Sequence, residues 1–167
     1  MESNPQQELF ISVIEENKGI IYKIANSFKK DEDDKKDLVQ EIIFQLWRSF
    51  NTYDRSSKLS TWMYRVALNV AITSYRKDKK KTEVFVPLGD SMLEFADTDR
   101  YDETSLNLLQ QFIRELKELD RALMILYLEE KSGKEMAEIL GLSELNIRTK
   151  ISRIKEQLKK KFSHINQ

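Results

Sequence analysis

The sequence predicts an all-α protein made of two small helical domains joined by a flexible linker, and three observations lead there. Charged residues make up 34% of the chain, while glycine and proline number only four and two. That composition favours helices with solvated faces over a turn-rich sheet architecture. Apolar residues recur at helical spacing in two long blocks. Between the blocks, from Thr82 to Thr104, periodicity fades, Pro87 and Gly89 fall close together and the composition turns acidic, which marks a linker. The expected division is therefore residues 1–81, a linker over 82–104, and residues 105–167.

The first helix is expected from about Gln7 to Phe28. A second runs from Lys35 to Phe50, with Val39, Ile42, Ile43, Leu46 and Phe50 on one face. Asp34 is placed to cap it, and Asp37 adds negative charge to its positive N-terminal end. Residues Asn51 to Lys58 read as a loop, because their side chains compete with helix through local hydrogen bonds. Ser60 then opens a third helix to about Lys79, with Met63, Tyr64, Ala67, Leu68, Val70, Ala71 and Tyr75 as its apolar side. In the second block Leu108, Leu109, Phe112, Ile113 and Leu116 form a stripe, and Asp120 is placed to cap the next helix, through about Glu130. Ser132-Gly133-Lys134-Glu135 fits a capping box, a short helix follows to Leu140, and Gly141 supplies the left-handed turn position. Ser143 caps a final helix to about Phe162. A short helix, a glycine turn and a capped basic helix make a helix-turn-helix pattern.

Several function classes lose their footing on composition. There is no cysteine, so no disulfide framework and no thiolate metal site. The only histidine is His164, near the end of the chain, and no glycine-rich phosphate loop occurs. The acids Asp31 to Asp34 do not have calcium-loop spacing. No catalytic residue, metal, cofactor or small-molecule substrate is therefore expected. The polar stretch Met1 to Gln7 lacks the apolar core of a secretory signal, and no run of about 18 apolar residues occurs. The sequence reads as soluble, with no membrane insertion.

Net charge is zero, but its distribution is uneven. Arg76, Lys77, Lys79, Lys80 and Lys81 crowd around Asp78, and Arg148, Lys150, Arg153, Lys155, Lys159, Lys160 and Lys161 outweigh Glu144 and Glu156. On the final helix Ile147, Ile151, Ile154, Leu158 and Phe162 form one stripe, while Asn146, Thr149, Ser152 and Arg153 lie opposite, flanked by Arg148, Lys150 and Lys155. Arginine and asparagine read base edges in a major groove, and lysines and hydroxyls hold the DNA backbone. Solvated amphipathic helices are commoner than DNA-reading ones, and the preceding capped helix and glycine turn favour DNA. On the third helix Trp62, Arg65, Asn69, Thr73 and Arg76 share a narrow arc, the composition of a platform for single strands. By periodicity alone, the core is the favoured place for Trp62. Asp37, Glu41, Phe44 and Arg48 share the polar side of the second helix with Gln40 at its margin, and an aromatic there suits a protein contact.

Two stretches carry a resemblance. Asp37-Leu38-Val39-Gln40-Glu41-Ile42-Ile43-Phe44, followed by Leu59-Ser60-Thr61-Trp62-Met63-Tyr64-Arg65-Val66-Ala67-Leu68-Asn69, resembles region 2 of extracytoplasmic-function sigma factors. The block from Leu119 to Lys155 resembles their region 4. The resemblance covers nearly the whole chain, in the right order. It implies a cytoplasmic subunit that joins core RNA polymerase at the clamp and the flap and recognises promoter DNA, without being an enzyme. An anti-sigma factor is a candidate further partner. It also implies that Asp37, Gln40, Glu41 and Phe44 meet the clamp. Tyr53, Arg55, Lys58, Ser60, Thr61, Trp62, Arg65, Asn69, Arg76 and Lys77 would meet the minus-10 element. Asn146, Arg148, Thr149, Lys150, Ser152, Arg153 and Lys155 would meet the minus-35 element. The chain departs from many members at Leu145 and Asn146, where they have glycine and threonine, and at Leu68, where arginine is frequent. Two alternatives stay open on sequence: a helix-turn-helix regulator that does not enter polymerase, and a helical adaptor needing neither basic surface.

Overall fold

The computed structural model describes residues 4–85 and 105–165, with side chains described over 4–81 and 107–163. The described residues are mostly helical and contain no strand. Seven helices follow in order: α1 Pro5–Phe28, α2 Glu32–Ser49, α3 Leu59–Phe85, α4 Ser105–Glu115, α5 Glu118–Leu128, α6 Gly133–Leu140 and α7 Glu144–Ile165, with a 3₁₀ turn at Phe50–Thr52. The third helix outruns its expected end at Lys79 and enters the window read as a linker. The remainder of that window lies outside the described residues.

Local chemistry accounts for most boundaries. Asn4 caps α1, accepting from the Gln6 N–H at 3.1 Å, with Pro5 in the first turn where its missing N–H costs nothing. Inside α1 the backbone of Asn17 leaves helical geometry (φ −121°, ψ 16°), and its side-chain amide donates to the Val13 carbonyl at 2.8 Å. A side chain inserted into the helical ladder is a recognised cause of a kink. The Ser132 hydroxyl accepts from the Glu135 N–H at 3.1 Å, the Ser143 hydroxyl from the Asn146 N–H at 3.1 Å, and Gly141 sits at φ +70°, all as the sequence predicts. Two expected caps are corrected. The second helix starts at Glu32 with Asp31 at its cap position, so Asp34 lies in the first turn. The fifth starts at Glu118 after Lys117, so Asp120 is likewise inside. Both acids still complement the helix dipole there.

α1, α2 and α3 enclose Ile21, Ile24, Leu38, Ile42, Leu46, Met63, Ala67 and Leu68, while Leu123, Leu126, Met136, Ile139, Ile147 and Ile154 fill the space among α5, α6 and α7. The two predicted helical units are both present. Their buried residues form one continuous cluster, because α5 and α6 pack onto α3 and both α4 and α5 onto α1.

Candidate functional site

Three surfaces follow from how these helices bury their apolar sides. On α2, burial of Leu38, Val39, Ile42 and Leu46 turns Asp37, Gln40, Glu41 and Phe44 outward together, with Phe44 53% exposed and the Arg48 guanidinium 5.9 Å from its ring centre. A phenylalanine this exposed contributes little to the core. Trp47, one turn along and exposed, extends this apolar spot and packs against Phe10 at 5.0 Å. Its spacing of three from Phe44 is the signal that could have singled it out.

The second surface is the loop before α3 and the start of that helix. Asp54 accepts from the Ser56 N–H at 3.0 Å, an Asx turn, and hydrogen bonds from Ser56 hold its carboxyl below its ordinary value. Arg55 adopts φ +63°, and it and Lys58 are exposed. Tyr53 is half-buried and donates its hydroxyl proton to the Ser57 carbonyl at 2.6 Å, tying the loop back on itself. Ser60 is half-buried, while Asn69, Arg76 and Lys77 are exposed. Asn69 and Lys77 line a groove of about 630 Å³ between α2 and α3, together with Glu41, Gln45 and Thr73.

Two of the expected DNA-facing residues, Thr61 and Trp62, are buried in this structure. Trp62 is only 7% exposed, packed against Tyr53 at 5.0 Å and Phe50 at 6.1 Å, and Thr61 is buried beside it. A stacking platform needs an open ring face. In this conformation the indole has none, because the 3₁₀ turn and the loop fold over it. Its part is to seat the loop that carries Arg55 and Lys58.

The third surface is α7. Ile147, Ile151 and Ile154 anchor it, so Asn146, Arg148, Thr149, Ser152, Arg153 and Lys155 all point to solvent. Lys150 sits at the margin, half-buried, and Lys155 lies 4.5 Å over the Tyr127 ring. Among the described residues no cluster of side chains is suited to hold a metal, and no helix is long and apolar enough to cross a membrane.

Comparison with known proteins places the chain in a family. Residues 13–81 match sigma-70 region 2, and residues 106–158 match sigma-70 region 4. The ECF RNA polymerase sigma factor SigM of Bacillus subtilis (strain 168) is 30% identical over 141 residues, covering 83% of this chain and 86% of that one. The chain belongs to the extracytoplasmic-function sigma factors. SigV of the same organism, an RNA polymerase sigma factor, is 28% identical, covering 87% of this chain and 86% of its own. The fold is shared with CnrH, solved in complex with the cytosolic domain of CnrY (TM-score 0.67, 21% identity, covering 95% of this chain and 90% of that one). It is shared equally with the sigma factor RpoE of Bartonella quintana, solved with the anti-sigma factor NepR (TM-score 0.67, 20% identity, 92% and 93%).

In this sigma factor, region 4 covers part of region 2. Arg65 donates to the Glu138 carbonyl at 3.1 Å and faces its carboxylate at 3.8 Å, and Arg76 donates to Glu118 at 3.1 Å. Burial pushes the Glu118 carboxyl up, but a hydrogen bond from its own backbone N–H and the Arg76 guanidinium outweigh that and hold it below its ordinary value. Lys23 pairs with Glu129. Exposed pairs of this kind are worth about 0–1 kcal/mol each. The stronger connection is Arg121, 5% exposed, which sequence reasoning passed over as one charge among many. Its guanidinium lies between the rings of Phe28 and Tyr75, 5.2 and 5.1 Å from their centres, and donates to the carbonyls of Ser27 (3.3 Å), Leu116 (2.9 Å) and Arg114. Those carbonyls belong to the C-terminal ends of α1 and α4, where helices leave acceptors without partners and the dipole is negative.

Proposed function

We infer that the chain directs core RNA polymerase to specific promoters and promotes initiation there, as a non-enzymatic subunit acting in the cytoplasm. The carrying observation is that one chain holds region 2 and region 4 in order. A regulator that merely binds DNA would have no use for region 2, and an adaptor no use for the basic face of α7. The exposed Asp37, Gln40, Glu41 and Phe44 are the proposed clamp contact, with Trp47 beside them. The proposed minus-10 contacts are Arg55, Lys58, Arg65, Asn69, Arg76 and Lys77, with Tyr53 and Ser60 supporting the loop. Asn146, Arg148, Thr149, Ser152, Arg153 and Lys155 are the proposed minus-35 contacts, with Lys150 at their edge, and region 4 also meets the flap. Arg65 and Arg76 must leave Glu138 and Glu118 before they reach DNA, so promoter binding in this reading opens the contact between the regions. An anti-sigma factor that holds the two regions together would act on that same contact.

The test is reconstitution with core polymerase on pooled genomic fragments of the source organism. Initiation at discrete start sites, absent with core alone, is the expected outcome. DNA binding without initiation would favour the regulator, and neither would favour the adaptor. In the same system, Asp37→Lys with Glu41→Lys is expected to weaken core binding about tenfold or more at low salt, since charges at an interface rim steer association and choose partners. Helicity should be unchanged because the buried side of α2 is untouched. Equal core binding by the double variant and the parent would remove these acids from the interface.

A further inference from the structure

Leu145 is the most exposed large apolar side chain among the described residues, at 74%. It stands second in α7, one residue before Asn146, whose N–H is capped by Ser143. At about 100° per residue, Leu145, Thr149 and Ser152 form the line facing directly away from Ile147, Ile151 and Ile154, with Arg148 on one side and Asn146 and Arg153 on the other. The leucine is thus the apolar centre of an otherwise polar and basic face. The Thr149 hydroxyl donates to the Leu145 carbonyl at 3.0 Å, so the threonine's proton is satisfied within the helix. Among the described residues this leucine is left largely uncovered, and a helix start has no local need for an exposed apolar side chain. Recognition helices read base edges with their N-terminal residues, and the apolar feature of a major groove is the C5-methyl of thymine.

We propose that Leu145 is a specificity-determining residue that packs on the C5-methyl of one thymine in the minus-35 element. This rests on the assignment of α7 to that element. Arg148 and Arg153 would flank the contact and hold the register, while the leucine discriminates thymine from cytosine, which lacks the methyl.

The test uses core polymerase loaded with the full chain and a promoter library randomised across the minus-35 window, with transcripts sequenced. The parent should enrich thymine at one position, and Leu145→Ala should flatten that position while leaving the others as they were. Replacing that thymidine with deoxyuridine removes the methyl group alone. It should lower transcription by the parent about fourfold, the worth of burying one methyl, and leave Leu145→Ala unaffected. Three results would overturn the proposal while region 4 recognition stood: upstream preference without an enriched thymine, a parent blind to deoxyuridine, or a Leu145→Ala loss equal on every template. The last would place the leucine against protein instead. No preferred position anywhere upstream, together with indifference to Arg148→Ala and Arg153→Ala, would take down the region 4 reading and this proposal with it.

Discussion

Trp62→Ala is expected to lower the stability of the protein by about 3–5 kcal/mol, the usual cost of truncating a buried large aromatic. The indole packs against Tyr53 and Phe50, and Phe50 in turn packs on Phe10 at 5.2 Å. Removing it opens a cavity under the loop that carries Arg55 and Lys58. The loss should be visible in urea or thermal unfolding of the free chain. In transcription, the variant should be impaired to a similar degree on a duplex promoter and on one with a pre-opened minus-10 bubble, because the defect lies in the shape of the loop. A stacking residue would behave otherwise, with normal unfolding and lost affinity for the opened template at about 1–3 kcal/mol per base. That second pattern would show that the indole leaves its pocket in the initiation complex.

Arg121→Met is expected to cost about 2–4 kcal/mol. Three carbonyls at two helix ends lose their donor at once, and a buried polar group left unpaired costs about 1–3 kcal/mol. Part of that is offset, since burial already disfavours the guanidinium and lowers its pKa against the weaker opposing pull of Tyr75 and Glu118. Methionine keeps much of the apolar stem between Phe28 and Tyr75, which separates loss of the donors from loss of packing. Arg121→Lys should recover little, because one ammonium cannot span Ser27 on one side and Arg114 and Leu116 on the other. Unfolding of the three proteins in urea decides it. Equal midpoints for Arg121→Met and the parent would mean that the carbonyls find other donors and that Arg121 does not hold the regions together. With the contact weakened, Arg65 and Arg76 should also become more available, so the free variant should bind DNA more tightly than the parent at the same salt.

Much of this protein was legible residue by residue. The helices, the Ser132 and Ser143 caps and the Gly141 turn follow from interactions spanning three or four residues, and those are written in local order. The outward faces of α2 and α7 were legible for the same reason: once one stripe is apolar, the opposite side has nowhere to go but solvent. The shifted starts of α2 and α5 show the limit: α2 begins after Asp31 and α5 after Lys117, neither with a side-chain cap hydrogen bond, so no local capping signal marks where either begins.

Arg65, Arg76 and Arg121 lie beyond that limit, and so does the loop that covers Trp62. The sequence by itself determined an all-α chain, two helical units in a given order, and which sides of α2 and α7 face outward, because each depends on periodicity and on neighbours within a turn. Only the tertiary structure decided that Trp62 lies under its loop, that Arg65 and Arg76 meet acids 73 and 42 residues away, and that Arg121 joins two helix ends. A guanidinium is expected at the surface unless something compensates its desolvation. Here the compensation is two orphaned helix C-termini brought side by side, and no local pattern of residues records that they meet.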